Sequence, residues 1–200
     1  MILWDVDTQL DFMLPDGKLY VPGAEETAPA MARLVAAARE AGVVHVASAD
    51  DHELTDAELS ESPDFETTYP LHCLRGTRGA RKVPETEQLD PVPLALTGVP
   101  ARWLRGREFL LLKKSFDVFA NPNTEPLLDA LAPDEVVVFG VATDVCDDVA
   151  IRGLVARGYR VSFVEDAARG LDAERTAACL ADWRAQGVGF TTVAQVLARL

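Results

Sequence analysis

Cysteine is scarce in this chain, with three among 200 residues, and there is no Cys-x-x-Cys pair. An odd number of cysteines without short framework spacing argues against a disulfide scaffold and fits a reducing, cytoplasmic compartment. A thiol redox protein that uses Cys146 and Cys73 is disfavoured for the same reason, because its usual motif is missing.

Basic residues are also few, since 19 lysines and arginines face 32 aspartates and glutamates, for a formal charge of −13. This balance argues against nucleic acid or an anionic membrane as the main partner. No apolar run approaches the roughly 20 residues needed to span a bilayer, and the N-terminus has no basic leader pattern. The length predicts one domain over residues 1–200.

Apolar runs alternate with helical patterns along most of the chain. This alternation predicts an α/β protein with a mainly parallel sheet covered by helices on both faces. The predicted strands are 2–7, 43–48, 108–112, 136–139, 160–164 and 188–190. The predicted helices are 24–41, 126–131, 144–157, 172–185 and one at the C-terminus.

One segment, about 50–107, lacks this alternation and is rich in proline and glycine. A long irregular insertion in a compact domain is usually functional or mobile. It contains His52 and His72, whereas His45 lies in an apolar strand and is predicted to be a core residue. Asp50, His52 and His72 could together hold a metal and leave positions open for water or substrate. Cys73 is an alternative ligand.

Three reactive side chains follow predicted strands: Asp7, Lys113 and Cys146. Ligands of open parallel sheets bind at the carboxyl ends of the strands, so we expect these groups to converge there. They supply a nucleophile, a proton-holding carboxylate and a cation, with Lys114 as a rival for the cation. Cys146 is predicted in the first turn of a helix, where the dipole favours a thiolate and free N–H groups offer an oxyanion site.

Five segments resemble motifs of the isochorismatase-like cysteine hydrolase superfamily, and of its nicotinamidase-like branch in particular. They occur in the family's order and are Asp7–Phe12 (DTQLDF), Asp50–His52 (DDH), Tyr69–Ala80 (YPLHCLRGTRGA), Lys113–Phe119 (KKSFDVF) and Gly140–Cys146 (GVATDVC). The resemblance implies a three-layer α-β-α fold with a six-stranded, mainly parallel sheet.

The resemblance also implies a catalytic triad of Asp7, Lys113 and Cys146. The cysteine would attack an amide carbonyl to form a thioester, while the aspartate exchanges protons with the thiol and the departing ammonia. A cis peptide between Val141 and Ala142 would aim the N–H groups of Ala142 and Cys146 into an oxyanion hole. The implied function is hydrolysis of a small planar amide of the nicotinamide type.

By the same resemblance, Asp50, His52 and His72 hold a divalent metal, with zinc favoured and iron or manganese as alternatives. Phe12 and Tyr69 would bind a flat ring from its two sides. Relatives form dimers or tetramers, so a homo-oligomer is implied. Departures such as Tyr69, where relatives usually carry tryptophan, leave the choice of amide open.

Two other functions are compatible with the same fold. One is a vinyl-ether hydrolase of the isochorismatase type, whose members can lack the cysteine and the metal ligands. The other is a non-catalytic binding module that has lost a reactive partner. The presence of all three triad residues and all three metal ligands favours the amidohydrolase.

Overall fold

A computed structural model describes residues 1–100 and 104–200. Its centre is one parallel sheet of seven strands in the order β3-β4-β2-β1-β5-β6-β7. The strands are β1 (Ile2–Val6), β2 (Val44–Asp50), β3 (Val92–Leu94), β4 (Glu108–Lys113), β5 (Val136–Val141), β6 (Val161–Arg169) and β7 (Gly189–Thr191).

Helices cover both faces of the sheet, as predicted for a three-layer α-β-α fold. They are α1 (Leu10–Met13), α2 (Ala28–Glu40), α3 (Thr124–Leu131), α4 (Cys146–Ala156), α5 (Ala173–Ala185) and α6 (Val193–Leu197). One buried apolar cluster joins the sheet to α3, α4 and Trp183 of α5. A second joins the opposite face to α2 and α6. No helix among the described residues is long and apolar enough to cross a membrane.

The two central strands explain where a site can form. Every residue of β1 and β5 is buried, as expected for strands covered on both faces, and the two strands pair directly. The chain builds the sheet outward through β2 on one side of this pair and through β6 on the other. The carboxyl ends of β1 and β5 therefore flank a topological switch point, the usual ligand crevice of such sheets.

Six strands were predicted and the sheet has seven. The additional strand is β3, which lies in the segment that was expected to be irregular. This strand is only three residues long and has Pro93 at its centre. It pairs with β4 alone at the edge of the sheet, where proline is tolerated. Neither length nor composition marked it as a strand.

Elsewhere in the described part of segment 51–107, the chain forms turns and isolated bridges. His52 bridges Leu74, and Leu59 bridges Tyr69, so the segment folds back on itself beside the end of β2. Residues 101–103 of the predicted insertion lie outside the described residues.

Candidate active site

The structure brings Asp7, Lys113 and Cys146 together beyond the carboxyl ends of β1, β4 and β5. Lys113 Nζ lies 2.8 Å from Asp7 Oδ2 and 3.7 Å from Cys146 Sγ. All three residues are buried. Lys114, the rival cation, pairs instead with Asp56 away from this cluster and is partly exposed.

Lys113 also joins this cluster to the candidate metal ligands. Asp50 ends β2 and lies opposite Lys113 in the strand register. Its Oδ1 is 2.5 Å from Lys113 Nζ, so one buried ammonium contacts the carboxylates of both Asp7 and Asp50. The two predicted groups are therefore one continuous polar centre.

The other oxygen of Asp7 is also engaged. Ser48, on β2, donates its hydroxyl hydrogen to Asp7 Oδ1 over 2.7 Å. Asp7 itself has a left-handed backbone with φ of 48°, at the point where the chain leaves β1. That sharp bend turns the carboxylate toward β2 and β4, where its two partners lie.

Charges around the cluster set which groups hold protons. Burial raises the pKa of the Cys146 thiol well above its ordinary value, and the carboxylates of Asp7 and Asp50 raise it further against the opposing charge of Lys113. These influences oppose the thiolate that the helix N-terminus favours. Burial likewise raises the pKa of Asp7, so this carboxyl group is a stronger proton acceptor than an exposed aspartate.

Asp50 and Lys113 are ionised partners. Burial alone would raise the pKa of Asp50, but the charge of Lys113 and the neighbouring rings of His52 and His72 outweigh it and lower that pKa. Burial alone would lower the pKa of Lys113, but Asp50 and Asp7 raise it well above its ordinary value. Because Lys113 stays protonated, it supplies a fixed positive charge beside the thiol.

The turn between β5 and α4 exposes backbone N–H groups beside the thiol. The Val141–Ala142 peptide is cis, as the resemblance implies, and Cys146 is the first residue of α4. The Ala142 carbonyl accepts hydrogen bonds from Val145 and Asp147. Within the described loops and turns, no backbone carbonyl accepts from the N–H of Ala142 or Cys146, so both are free to donate to a bound oxygen.

The predicted metal ligands also converge. One donor atom from each of Asp50, His52 and His72 lies within 4.8 Å of the others, and all three residues are buried. Asp50 Oδ2 lies 3.8 Å from His52 Nε2 and 3.4 Å from His72 Nε2. Three donors of this type facing one point fit a divalent metal.

The outer nitrogens of the two histidines already have partners. His52 Nδ1 contacts Asp56 Oδ2 at 3.2 Å, and His72 Nδ1 contacts the Pro70 carbonyl at 2.7 Å. Such contacts place the proton on Nδ1 and leave Nε2 as the ligand atom. Among the described residues His52 Nε2 has no hydrogen-bond partner, which is what an orphaned ligand atom would show. The unpartnered Nε2 of His52, which faces Asp50 and His72, therefore supports a metal bound by these three residues.

Two residues beside this centre were not predicted from sequence. The Gln9 side chain bonds both the N–H and the carbonyl of Asp50, at 2.7 and 2.8 Å, and so fixes the end of β2. Glu58 has a buried Oε1 without a hydrogen-bond partner among the described residues. Burial and the charge of Asp50 raise the pKa of Glu58, whereas His52, Lys113 and His72 lower it.

Cys73, the alternative ligand, does not join the metal set. Its side chain packs in the apolar cluster under α2, and its N–H donates to Asp11 Oδ2 at 2.7 Å. Burial raises the pKa of its thiol far above the ordinary value, so a ligating thiolate is disfavoured. His45 is a buried core residue, as predicted, with Nε2 at 3.3 Å from Asp5.

A cavity of about 530 Å³ opens onto Cys146, Asp50 and His72. Phe12 and Tyr69, predicted to bind a ring, both line it. The Phe12 ring lies 5.5 Å from the His72 ring, and Tyr69 packs edge-on against Phe116 at 5.3 Å. Phe116 also lines the cavity, so the aromatic wall is larger than the sequence suggested.

Comparisons with known proteins identify the family of this chain. A family model described as the isochorismatase domain matches residues 99–195. The nicotinamidase/pyrazinamidase of Mycobacterium tuberculosis is 31% identical over 186 residues, covering 92% of this chain and 94% of that one. The chain belongs to the isochorismatase-like hydrolase family. Its place in the nicotinamidase-like branch and its class, an amidohydrolase, are confirmed as predicted.

Other members of this isochorismatase-like family extend the comparison. The nicotinamidase of Escherichia coli is 28% identical over 184 residues, covering 84% of this chain and 82% of that protein. A pyrazinamidase of Pyrococcus horikoshii, solved in complex with zinc, has a TM-score of 0.77 at 22% identity and covers 96% of this chain and 98% of its own. The last similarity shows a shared fold.

Proposed function

We propose that this protein is a cysteine amidohydrolase that converts a small planar amide of the nicotinamide type to its carboxylate and ammonia. The observation that carries the proposal is the position of Lys113, whose ammonium contacts Asp7 and Asp50 and lies 3.7 Å from the thiol of Cys146. Cys146 and two of the candidate metal ligands, Asp50 and His72, line the cavity, and the carboxylate of Asp7 is held behind them by Lys113. Relatives named nicotinamidase support the substrate class.

In the first half of the proposed reaction, Cys146 Sγ forms a bond to the amide carbonyl carbon. The thiol proton passes to the Asp7 carboxylate, whose raised pKa suits that task. The carbonyl oxygen gains negative charge and is stabilised by the N–H groups of Ala142 and Cys146. Asp7 then gives its proton to the amide nitrogen as the carbon–nitrogen bond breaks, which leaves a thioester and free ammonia.

In the second half, water attacks the thioester carbon and Asp7 takes a proton from it. The carbon–sulfur bond breaks, and the proton held by Asp7 returns to Cys146. The carboxylic acid product releases its remaining proton to the solvent, where ammonia takes it up, and leaves as the carboxylate. Lys113 remains protonated throughout, and its charge stabilises each anionic stage. The thiol and the carboxyl group each end as they began, so the cycle balances.

We propose that Asp50, His52 and His72 hold the divalent metal, with zinc favoured. When bound, the metal supplies a Lewis acid that polarises and orients a substrate donor atom. Phe12 and Tyr69 are proposed to contact the flat ring, which the aromatic lining of the cavity supports.

Ammonia release from nicotinamide and a panel of small amides tests this proposal. We expect turnover by the wild type, loss by at least a thousandfold in Cys146→Ala, and loss after chelation that added zinc restores. Cys179→Ala is the matched control, because that cysteine lies on α5 outside the cavity. Turnover that survives Cys146→Ala would contradict the thioester route.

The proposal extends to location and assembly. All three cysteines are free thiols, which supports a reducing, cytoplasmic setting. A dimer or tetramer is supported by family resemblance, and light scattering on the purified protein measures it directly.

A further inference from the structure

The outer part of the cavity carries positive charge that the proposed chemistry does not use. Lys18 and Arg175 both line the cavity, and both side chains are exposed to its opening. The only carboxylate in its lining, among the described residues, is Asp50, which is engaged by Lys113 and the histidines at the opposite, buried end. In a chain with a net charge of −13, two cations together at one opening stand out.

Arg175 is held in place by the segment that carries Cys146. Its Nε lies 3.2 Å from Oδ2 of Asp144, whose side chain is fully buried. Asp144 also accepts hydrogen bonds from the N–H groups of Leu171 and Asp172, at 2.6 and 3.1 Å, and so fixes the start of α5. Asp172 is a weaker neighbour of the guanidinium, at 3.9 Å from Nε.

These contacts leave the two terminal nitrogens of the Arg175 guanidinium, Nη1 and Nη2, available to a ligand. Among the described residues, Nη1 and Nη2 of Arg175 donate no hydrogen bond, and the ion-pair contacts of this side chain to Asp144 and Asp172 are recorded at Nε. An arginine anchored through Nε presents two parallel N–H groups, the fork that binds a carboxylate in two places. Lys18 adds a second charge, and its ammonium has no ion-pair partner in the described part of the chain.

The size of the cavity also exceeds what one ring requires. A cavity of roughly 150 Å³ accommodates benzene in a protein core, whereas this one measures about 530 Å³. A ring bound between Phe12 and Tyr69 with its amide at Cys146 therefore leaves space toward Arg175. A second substituent on the substrate could occupy that space.

We propose that the substrate is an amide that bears a second, anionic group, a carboxylate, and that Arg175 binds this carboxylate with support from Lys18. The inference rests on the proposed amidohydrolase function and narrows its substrate class from neutral aromatic amides to carbamoyl acids. Arg175 is then a specificity-determining residue, because it contacts the part of the substrate that does not react.

A matched pair of amides tests this inference: benzamide and 3-carbamoylbenzoate, which differ by one carboxylate. We expect wild-type kcat/KM to be about tenfold to a hundredfold higher for the acid, the usual range for one charge-assisted pair. Arg175→Gln should remove most of this preference through KM, so that kcat/KM falls much further for the acid than for benzamide. Arg175→Lys should retain part of it, and Lys18→Gln should reduce it less.

The control is Arg184→Gln, on the same helix, whose side chain pairs with Glu165 outside the cavity. It should leave both substrates unaffected. A wild type that prefers benzamide, or an Arg175→Gln variant that loses both substrates equally, would overturn the anionic subsite while the amidase function stands.

A second measurement keeps the test independent of turnover. Calorimetry with isophthalate, a product-like dicarboxylate, should show binding to wild type and to Cys146→Ala that weakens at least tenfold in Arg175→Gln. If no amide is hydrolysed, the proposed function fails but this titration still decides the subsite. Absence of isophthalate binding to the wild type would overturn it.

Discussion

Lys113 is the residue on which the buried polar centre depends. Its ammonium is almost fully buried and lies between two carboxylates, Asp7 and Asp50. A buried ion cluster of this kind is costly to break, because removing one partner leaves the opposite charge unpaired in a medium of low polarity. Both the stability of the fold and the proposed reaction therefore depend on the Lys113 side chain.

Lys113→Gln should reduce the free energy of unfolding by about 3–5 kcal/mol and abolish amide hydrolysis. Lys114→Gln is the control next to it in sequence, and its partly exposed pair with Asp56 should be worth at most about 1 kcal/mol. Urea denaturation at neutral pH and ammonia release measure both effects. Equal losses in the two variants would contradict this account of the cluster.

Asp147 is a buried carboxyl group that the proposed reaction does not use. It follows Cys146 on α4 and is fully buried. Among the described residues, neither of its carboxylate oxygens has a hydrogen-bond partner. Burial raises its pKa well above the ordinary value, and the charges of Asp7 and Asp5 raise it further. A raised pKa favours the protonated form of this carboxyl group in the folded protein more than in the unfolded chain.

Asp147→Asn should stabilise the protein at neutral pH. A raised folded-state pKa penalises the native carboxyl group once the pH exceeds its unfolded value of about 4, so the advantage of asparagine should grow as pH rises from 4 to 7. Thermal melts across that range measure it. Asp148→Asn is the control and should destabilise, because Asp148 pairs with Arg152 and accepts from Trp183. A destabilised Asp147→Asn would contradict a neutral Asp147.

Among individual residues, the sequence could predict those site residues whose type is reactive and whose position follows a predicted strand or is otherwise distinctive. Asp7, Lys113 and Cys146 follow apolar strands, and His52 and His72 are two of only three histidines. Glu58 and Arg175 could not be found in this way, because acidic and basic residues are common on surfaces. Only the fold shows that a carboxylate oxygen of Glu58 is buried and that Arg175 lines the cavity.

Among the elements, the close pairing of β1 with β5 determines how near Asp7 comes to Cys146. Gly140 lies opposite Val6 in this pairing and has a φ of 137°. A Cβ at this position would lie 2.2 Å from the Val6 carbonyl oxygen. The Val6 backbone cannot move aside as a flexible side chain can. A larger residue at position 140 would therefore push β1 and β5 apart where they lead to Asp7 and to the turn before Cys146.

Gly140→Ala should cost at least about 2 kcal/mol of stability and reduce turnover further than the stability loss explains. Gly158→Ala separates strain from collision, because Gly158 also has a positive φ, 81°, but no atom lies within 4 Å of the place that an alanine Cβ would occupy. That control should lose about 1–2 kcal/mol and keep its activity per folded molecule. Equal activity losses in both would contradict a role for the strand spacing.

The apolar pattern of the sequence predicted most of the helices and strands, but not all of the residues at which they end. β5 and β1 were predictable because buried parallel strands are continuously apolar. β6 runs to Arg169, five residues beyond its predicted end, because Glu165 and Asp166 broke the apolar pattern although the backbone stays extended. The four-residue helix α1 was missed because so short a helix has no detectable period.

Across the whole molecule, the candidate metal ligands connect the sheet to its largest irregular segment. Asp50 ends β2, whereas His52 and His72 belong to the segment that follows and are brought together by its bridge between His52 and Leu74. We propose that residues 1–200 form one domain and that the metal stabilises this segment against the sheet. A ligand that binds only the folded form raises its stability in proportion to the logarithm of its concentration over Kd.

Chelation should therefore lower the melting temperature of the entire chain in one transition. At about a hundredfold excess of free metal over Kd the binding contributes roughly 2.7 kcal/mol, which corresponds to a shift of about 5–10 °C for a chain of this length. Calorimetry and far-UV circular dichroism should give coincident curves before and after chelation.

Variants of the ligands separate metal loss from other effects of the chelator. His72→Ala should melt near the chelated wild type and show no further shift, because its metal site is incomplete. Glu53→Gln is the control and should match the wild type, because Glu53 is exposed and pairs with Arg75. Two separate transitions, or a chelator effect that persists in His72→Ala, would contradict a metal that joins this segment to the sheet.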